Sequence, residues 1–118
     1  MSEGFALFDR ADRLVLWNRQ YESFFPYLKP YLRSNLSFAE LVDVAARHAR
    51  LTEEEAGTWT AWRMSRHASP GAAFEQKLSD GRQMLTVERR TAEGGIVWVS
   101  RDVTRERAAS LALERARG

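Results

Sequence analysis

The sequence predicts an α+β domain: a five-stranded antiparallel sheet covered on one face by short helices, with a helix leaving at the C-terminus. Three observations carry that prediction. Two short apolar runs open the chain, capped amphipathic helices occupy its middle, and three strands separated by turn glycines close it. The 118 residues suit one domain, and 44% hydrophobic content lies close to the globular norm, so the chain folds rather than staying disordered.

Phe5–Phe8 is apolar until Asp9-Arg10-Ala11-Asp12 stops it, and Leu14–Trp17 is a second run of the same kind. Two such runs with a short polar connection read as a β-hairpin. Both are apolar throughout, so which positions face the core stays open. Asn18 then stands where an N-cap is needed, and Tyr21, Phe24 and Phe25 share a helical face. Pro26 and Pro30 limit this segment to short helix and turn. Ser37 and Glu40 form a capping box, and Phe38, Leu41, Val42, Ala45 and Ala49 follow at amphipathic spacing. Thr52 and Glu55 form a second box. The helix after it begins with three glutamates and ends with Arg63, Arg66 and His67, which complements its dipole. On this reading His67 is a dipole complement, Trp59 and Trp62 share a face, and Ser69-Pro70-Gly71 ends the helix.

The last third turns to strands. Phe74–Leu78 alternates, Asp80-Gly81 signals a two-residue hairpin, and Met84–Arg90 returns. Glu93-Gly94-Gly95 turns again into Ile96–Ser100, completing a three-stranded meander. From Thr104 the chain is helical, rich in charge and poor in large apolar residues. Such a helix has little to bury against its own domain and projects away or pairs with a partner.

In this order the chain resembles a PAS domain over nearly its whole length. "DRLVLWNRQY" (Asp12 to Tyr21) looks like the family's second strand running into an Asn-capped helix. "LSDGRQMLTVERR" (Leu78 to Arg90) looks like its hairpin. "GGIVWVSRDVTRER" (Gly94 to Arg107) looks like its last strand ending in the Asp-x-Thr motif, here Asp102-Val103-Thr104. Each piece also has a plain structural reading: Asn18 as a cap, Gly81 as a positive-φ turn residue, and Thr104 as the N-cap at an ordinary strand-to-helix junction.

The resemblance implies a cytoplasmic sensory and dimerisation module. Residues 1–104 form the sensor and 105–118 begin a signalling helix. Asp102 and Thr104 relay ligand or partner state to an output domain of the same polypeptide, a histidine kinase or a cyclic-dinucleotide enzyme. Chain termination in helical character fits a fragment of a longer protein. Homodimerisation is expected through the first strand with its flank, the outer sheet face, or the Ala108-Leu111-Ala112 helix face.

Chemistry is bounded by what is missing. No cysteine is present, which removes disulfides, thiolate metal sites, thiol-adduct flavin and thiol-linked chromophores. Some PAS domains bind haem through a histidine on a comparable helix, which makes His48, beside Leu41 on the wheel, the one axial-ligand candidate. A boundary or surface histidine is the stronger reading. His48 and His67 lack metal-ligand spacing, no phosphate loop or nucleophile elbow occurs, and no catalytic residue is assigned. Eighteen basic residues against sixteen acidic ones, interleaved along the chain, make no phosphate footprint, so nucleic acid is disfavoured. No apolar run approaches a membrane span, and the first four residues lack signal-peptide character. A possible small-molecule pocket is assigned to Trp17, Phe38, Val42, Trp59 and Leu85, with the identity of any ligand or cofactor open. A ligand-free dimerisation scaffold is the main alternative, and a small cystatin-like α+β enzyme the remote one.

Overall fold

The computed structural model describes residues 3–117. Strands β1 (Glu3–Phe8) and β2 (Leu14–Trp17) open the chain. Helix α1 (Arg19–Phe24), a 3-10 segment (Pro26–Tyr31), α2 (Phe38–His48) and α3 (Glu53–Ala68) follow. Strands β3 (Phe74–Lys77), β4 (Gln83–Arg90) and β5 (Ile96–Asp102) lead into α4 (Thr104–Arg117). The strands make one antiparallel sheet in the order β2-β1-β5-β4-β3, so the two ends of the chain meet at its centre.

Strand parity, open from sequence alone, is resolved by burial. Gly4, Ala6 and Phe8 of β1, Met84, Thr86 and Glu88 of β4, and Ile96, Trp98 and Ser100 of β5 face the helices. Register pairs them across the sheet: Ala6 with Trp98, Phe8 with Ile96, Thr86 with Ser100 and Glu88 with Trp98. Phe5, Leu7, Leu85, Val87, Val97 and Val99 therefore take the opposite face, where they are only half-buried.

All three hairpins share one loop. Asp12 N–H donates to Asp9 O, Gly81 N–H to Leu78 O and Gly94 N–H to Thr91 O, at 2.9–3.0 Å. The third loop residue then takes positive φ: Asp12 at 63°, Gly81 at 92° and Gly94 at 88°. This corrects the two-residue turn expected at Asp80-Gly81: only Gly81 needs the left-handed region, because a type I turn supplies the rest of the reversal. Gly95 is required for another reason. A Cβ there would stand 2.2 Å from the carbonyl oxygen of Phe8. Gly95→Ala is expected to cost about 1–3 kcal/mol in urea unfolding. Gly57→Ala, in α3 with nothing within 4 Å, should instead stabilise by about 0.5–1 kcal/mol.

Caps fix where the helices sit. Asn18 Oδ1 accepts from Tyr21 N–H and also from Phe5 N–H, while its amide donates to Glu3 O, so the cap ties α1 to β1 as well. Thr52 and Glu55 complete their box. Ser37 accepts from Glu40 N–H, and the Glu40 carboxylate takes the Ser37 hydroxyl. Phe8, Phe38, Leu41, Val42, Tyr21, Phe25 and Trp98 fill the space between helices and sheet. Helix α4 buries no residue.

Candidate functional site: a caged arginine under the sheet

Helix α3 turns Trp59, Arg63 and His67 inward, each four residues after the last. Arg63 is 1% exposed. Its guanidinium carbon lies 4.6 Å from the ring centre of Trp98 and 5.0 Å from those of Phe38 and Phe74, an aromatic cage that suits a weakly hydrated cation. Nη1 donates to Glu88 Oε1 at 2.8 Å. The other Glu88 oxygen meets His67 Nδ1 at 2.7 Å, and His67 Nε2 meets Asp12 Oδ1 at 2.6 Å. The His67 ring lies flat on Phe38, 3.5 Å between centres.

This corrects the reading of His67 as a dipole complement: its ring is buried and joins α3 to β4 and to the β1–β2 turn. Burial pushes the His67 pKa down, but the hydrogen bonds and charges of Asp12 and Glu88 outweigh it, and the net shift is upward. Burial pushes Glu88 up, and its bonds to His67 and Arg63 bring it below its ordinary value.

Among the described residues, three buried side-chain polar atoms have no protein partner: Arg63 Nη2, Gln76 Oε1 and Tyr21 OH. Arg63 and Gln76 both border an interior cavity of about 20 Å³, with Val42, Trp59, Phe25 and Trp98 among its walls. That is room for about one water molecule. Tyr27, Ala45, Trp59 and Gln76 also border a half-open groove of about 320 Å³, which Lys77 and His48 line from outside. These four residues form the partition between groove and interior. Burial pushes the Tyr27 pKa up to about 12, so its hydroxyl stays protonated.

Of the residues assigned to a pocket from sequence, Val42 and Trp59 border the cavity. Phe38 is packed in the core under His67. Trp17 is half-buried on edge strand β2, where its indole N–H donates to Glu22 at 2.8 Å. Leu85 is a correction: it faces the outer side of the sheet, opposite Arg101 and Glu75, because β4 directs its even-numbered residues inward. His48 is exposed and stacks on Tyr27 at 4.2 Å, on the outer rim of the groove rather than inward.

Asp102 and Thr104 meet at the junction of β5 and α4. Asp102 Oδ1 accepts from both the N–H and the hydroxyl of Thr104, and Thr104 Oγ1 accepts from Gln83 N–H at 2.8 Å. These bonds hold the Asp102 carboxyl below its usual range. A second tie, between residues far apart in the sequence, also joins α4 to the sheet. Arg107 of α4 grips Glu75 with two bonds of 2.7 and 3.1 Å, and Glu75 is the outward neighbour of Gln76 on edge strand β3. Among the described residues there is no group of three or more potential metal ligands, and no helix is long and apolar enough to cross a membrane.

A family model described as PAS fold matches residues 1–111. The "Non-motile and phage-resistance protein" of Caulobacter vibrioides is 34% identical over 107 residues, which is 88% of this chain but only 11% of that protein. The PAS domain of BvgS from Bordetella pertussis superposes with a TM-score of 0.55 at 16% identity, covering 99% of this chain and 88% of that one. The PAS domain of the RpfR quorum-sensing receptor from Cronobacter turicensis, solved with C12:0, gives a TM-score of 0.47 at 16% identity, covering 88% of this chain and 96% of its own.

Proposed function

The chain belongs to the PAS fold family, and from that premise we propose that it is a sensory and dimerisation module which passes a change in its interior to an output domain through α4. The observation that carries this reading is the junction. Helix α4 buries nothing, yet its first turn is bound to the sheet at Asp102, Thr104 and Gln83, and again through Arg107 and Glu75. A helix with no packed face takes its direction from such attachments, so a shift of β3 to β5 becomes a shift of the helix. The input enters by the groove and acts at Arg63 and Gln76, on the inner side of the same strands. A histidine kinase or cyclic-dinucleotide enzyme in the same polypeptide is the proposed output. The 11% share of the Caulobacter relative that this chain matches is in keeping with a module of a longer protein.

The proposed dimer surface is the outer sheet face. Leu7, Val97 and Val99 stand half-buried there beside Leu16, which is 43% exposed. A second reading, a ligand-free dimerisation scaffold, draws support from the small size of the cavity. Asp102→Ala in the full-length polypeptide separates the two. Asp102 accepts two bonds from Thr104 at the start of α4, and losing such a helix-start acceptor costs about 1 kcal/mol, so the domain should stay folded while the signal response disappears. An unaltered response would remove the relay and leave the scaffold.

A further inference from the structure

From the unpartnered Arg63 Nη2 and Gln76 Oε1 we infer that the interior takes an uncharged ligand head which accepts one hydrogen bond and donates another, as a flat amide or lactam does. This rests on the ligand-sensing reading above and specifies its chemistry. Arg63 Nη2 offers an N–H and Gln76 Oε1 a lone pair, both buried and both bordering one cavity. A carbonyl oxygen answers the first and an amide N–H the second. In the absence of ligand the cavity has the volume for a single water molecule.

Charge selects against a carboxylate. With His67 protonated, Arg63 and His67 balance Glu88 and Asp12, and the cluster is neutral. An added anion would sit buried near Glu88, whose carboxylate already occupies Arg63 Nη1. A neutral head leaves the balance intact. The surrounding indoles of Trp98 and Trp59 suit a flat body, and entry requires Trp59 and Tyr27, on the partition, to move aside. The rest of the molecule would lie in the groove of about 320 Å³.

The test titrates the 118-residue chain with benzamide, benzoate and toluene, following the Trp59 and Trp98 indole and Gln76 side-chain amide signals by NMR. Benzamide is expected to shift all three saturably, with benzoate and toluene at least tenfold weaker. Gln76→Leu, whose side chain is on an edge strand and whose loss spares the Arg63–Glu88 pair, should keep the melting temperature and bring benzamide down to the level of toluene. Benzoate binding as well as benzamide, or Gln76→Leu binding unchanged, would overturn the head-group assignment and keep the interior as a site. Silence of the three signals toward every probe would instead overturn the interior site itself.

Discussion

Glu88→Ala is expected to lower the melting temperature by about 10–20 °C, the largest single effect in the domain. The carboxylate is 1% exposed and holds two buried partners, Arg63 at 2.8 Å and His67 at 2.7 Å. Removing it leaves the buried guanidinium without its carboxylate and His67 with Asp12 alone. Breaking a buried pair in this way costs about 3–5 kcal/mol, a large part of a total stability of about 5–15 kcal/mol. The aromatic cage does not rescue Arg63, since ring faces answer its charge but not its N–H groups. Glu88→Gln keeps an acceptor and should lose less. The combined replacement Arg63→Met, His67→Leu and Glu88→Leu should melt above Glu88→Ala, because it removes the buried charges rather than uncovering them. A Glu88→Ala protein melting within 3 °C of the parent would show that the cluster is far better hydrated than its burial implies.

The same strand shows how far the sequence could be read. The order of elements, the five strands and the capped helices were legible because their signals are local: Asn18, Ser37 and Thr52 cap, and turn glycines follow strands. The buried face of β4 was not, because its local signal misleads. Leu85 and Val87 are the apolar alternates, yet Thr86 and Glu88 are the residues that face the helices. Polar side chains can face inward only where partners are supplied from elsewhere: Ser100 for Thr86 at 2.7 Å, and Arg63 and His67 for Glu88. Those pairings span 14 to 25 positions and leave no periodic trace. One signal was present. Trp59, Arg63 and His67 recur every four residues, and an arginine and a histidine on the stripe of a core-facing tryptophan ask for a buried acid. Likewise the Asp102–Thr104 junction was legible as a motif, whereas the Glu75–Arg107 clasp joins residues 32 apart and was not.

As pH rises above 6.5 the domain is expected to lose stability as His67 deprotonates, while the variant His67→Gln stays flat over the same range. The sign follows from the direction of the shift. The pKa of His67 is raised above its ordinary 6.5, so its contribution is fully present below that value and disappears as pH rises through the folded pKa. Glu88 behaves oppositely: its pKa lies below the ordinary 4.5, and its contribution is lost as pH falls through the folded value. The cluster is therefore strongest between those two ordinary values. Geometry identifies which bond fails on the alkaline side. Both ring nitrogens face carboxylate oxygens, and a neutral imidazole has one N–H to give. Glu88 is sealed from water, whereas the Asp12 side chain is 42% exposed and can be hydrated, so the proton stays toward Glu88 and Asp12 is released. Asp12 is also the residue held at φ 63° in the β1–β2 turn, a conformation that Gly81 and Gly94 occupy in the other two hairpins. Losing His67 removes the contact that offsets this strain, and the turn should loosen before the sheet does. Arg10 and Arg90 line the same cleft. The measurement is an NMR titration of the His67 ring alongside the amide signals of Asp9 to Arg13. A His67 midpoint above 6.5, with the turn amides moving at the same pH, is the expected result. A midpoint at or below 6.5 would mean that burial outweighs the two carboxylates and that the turn is held without the charge.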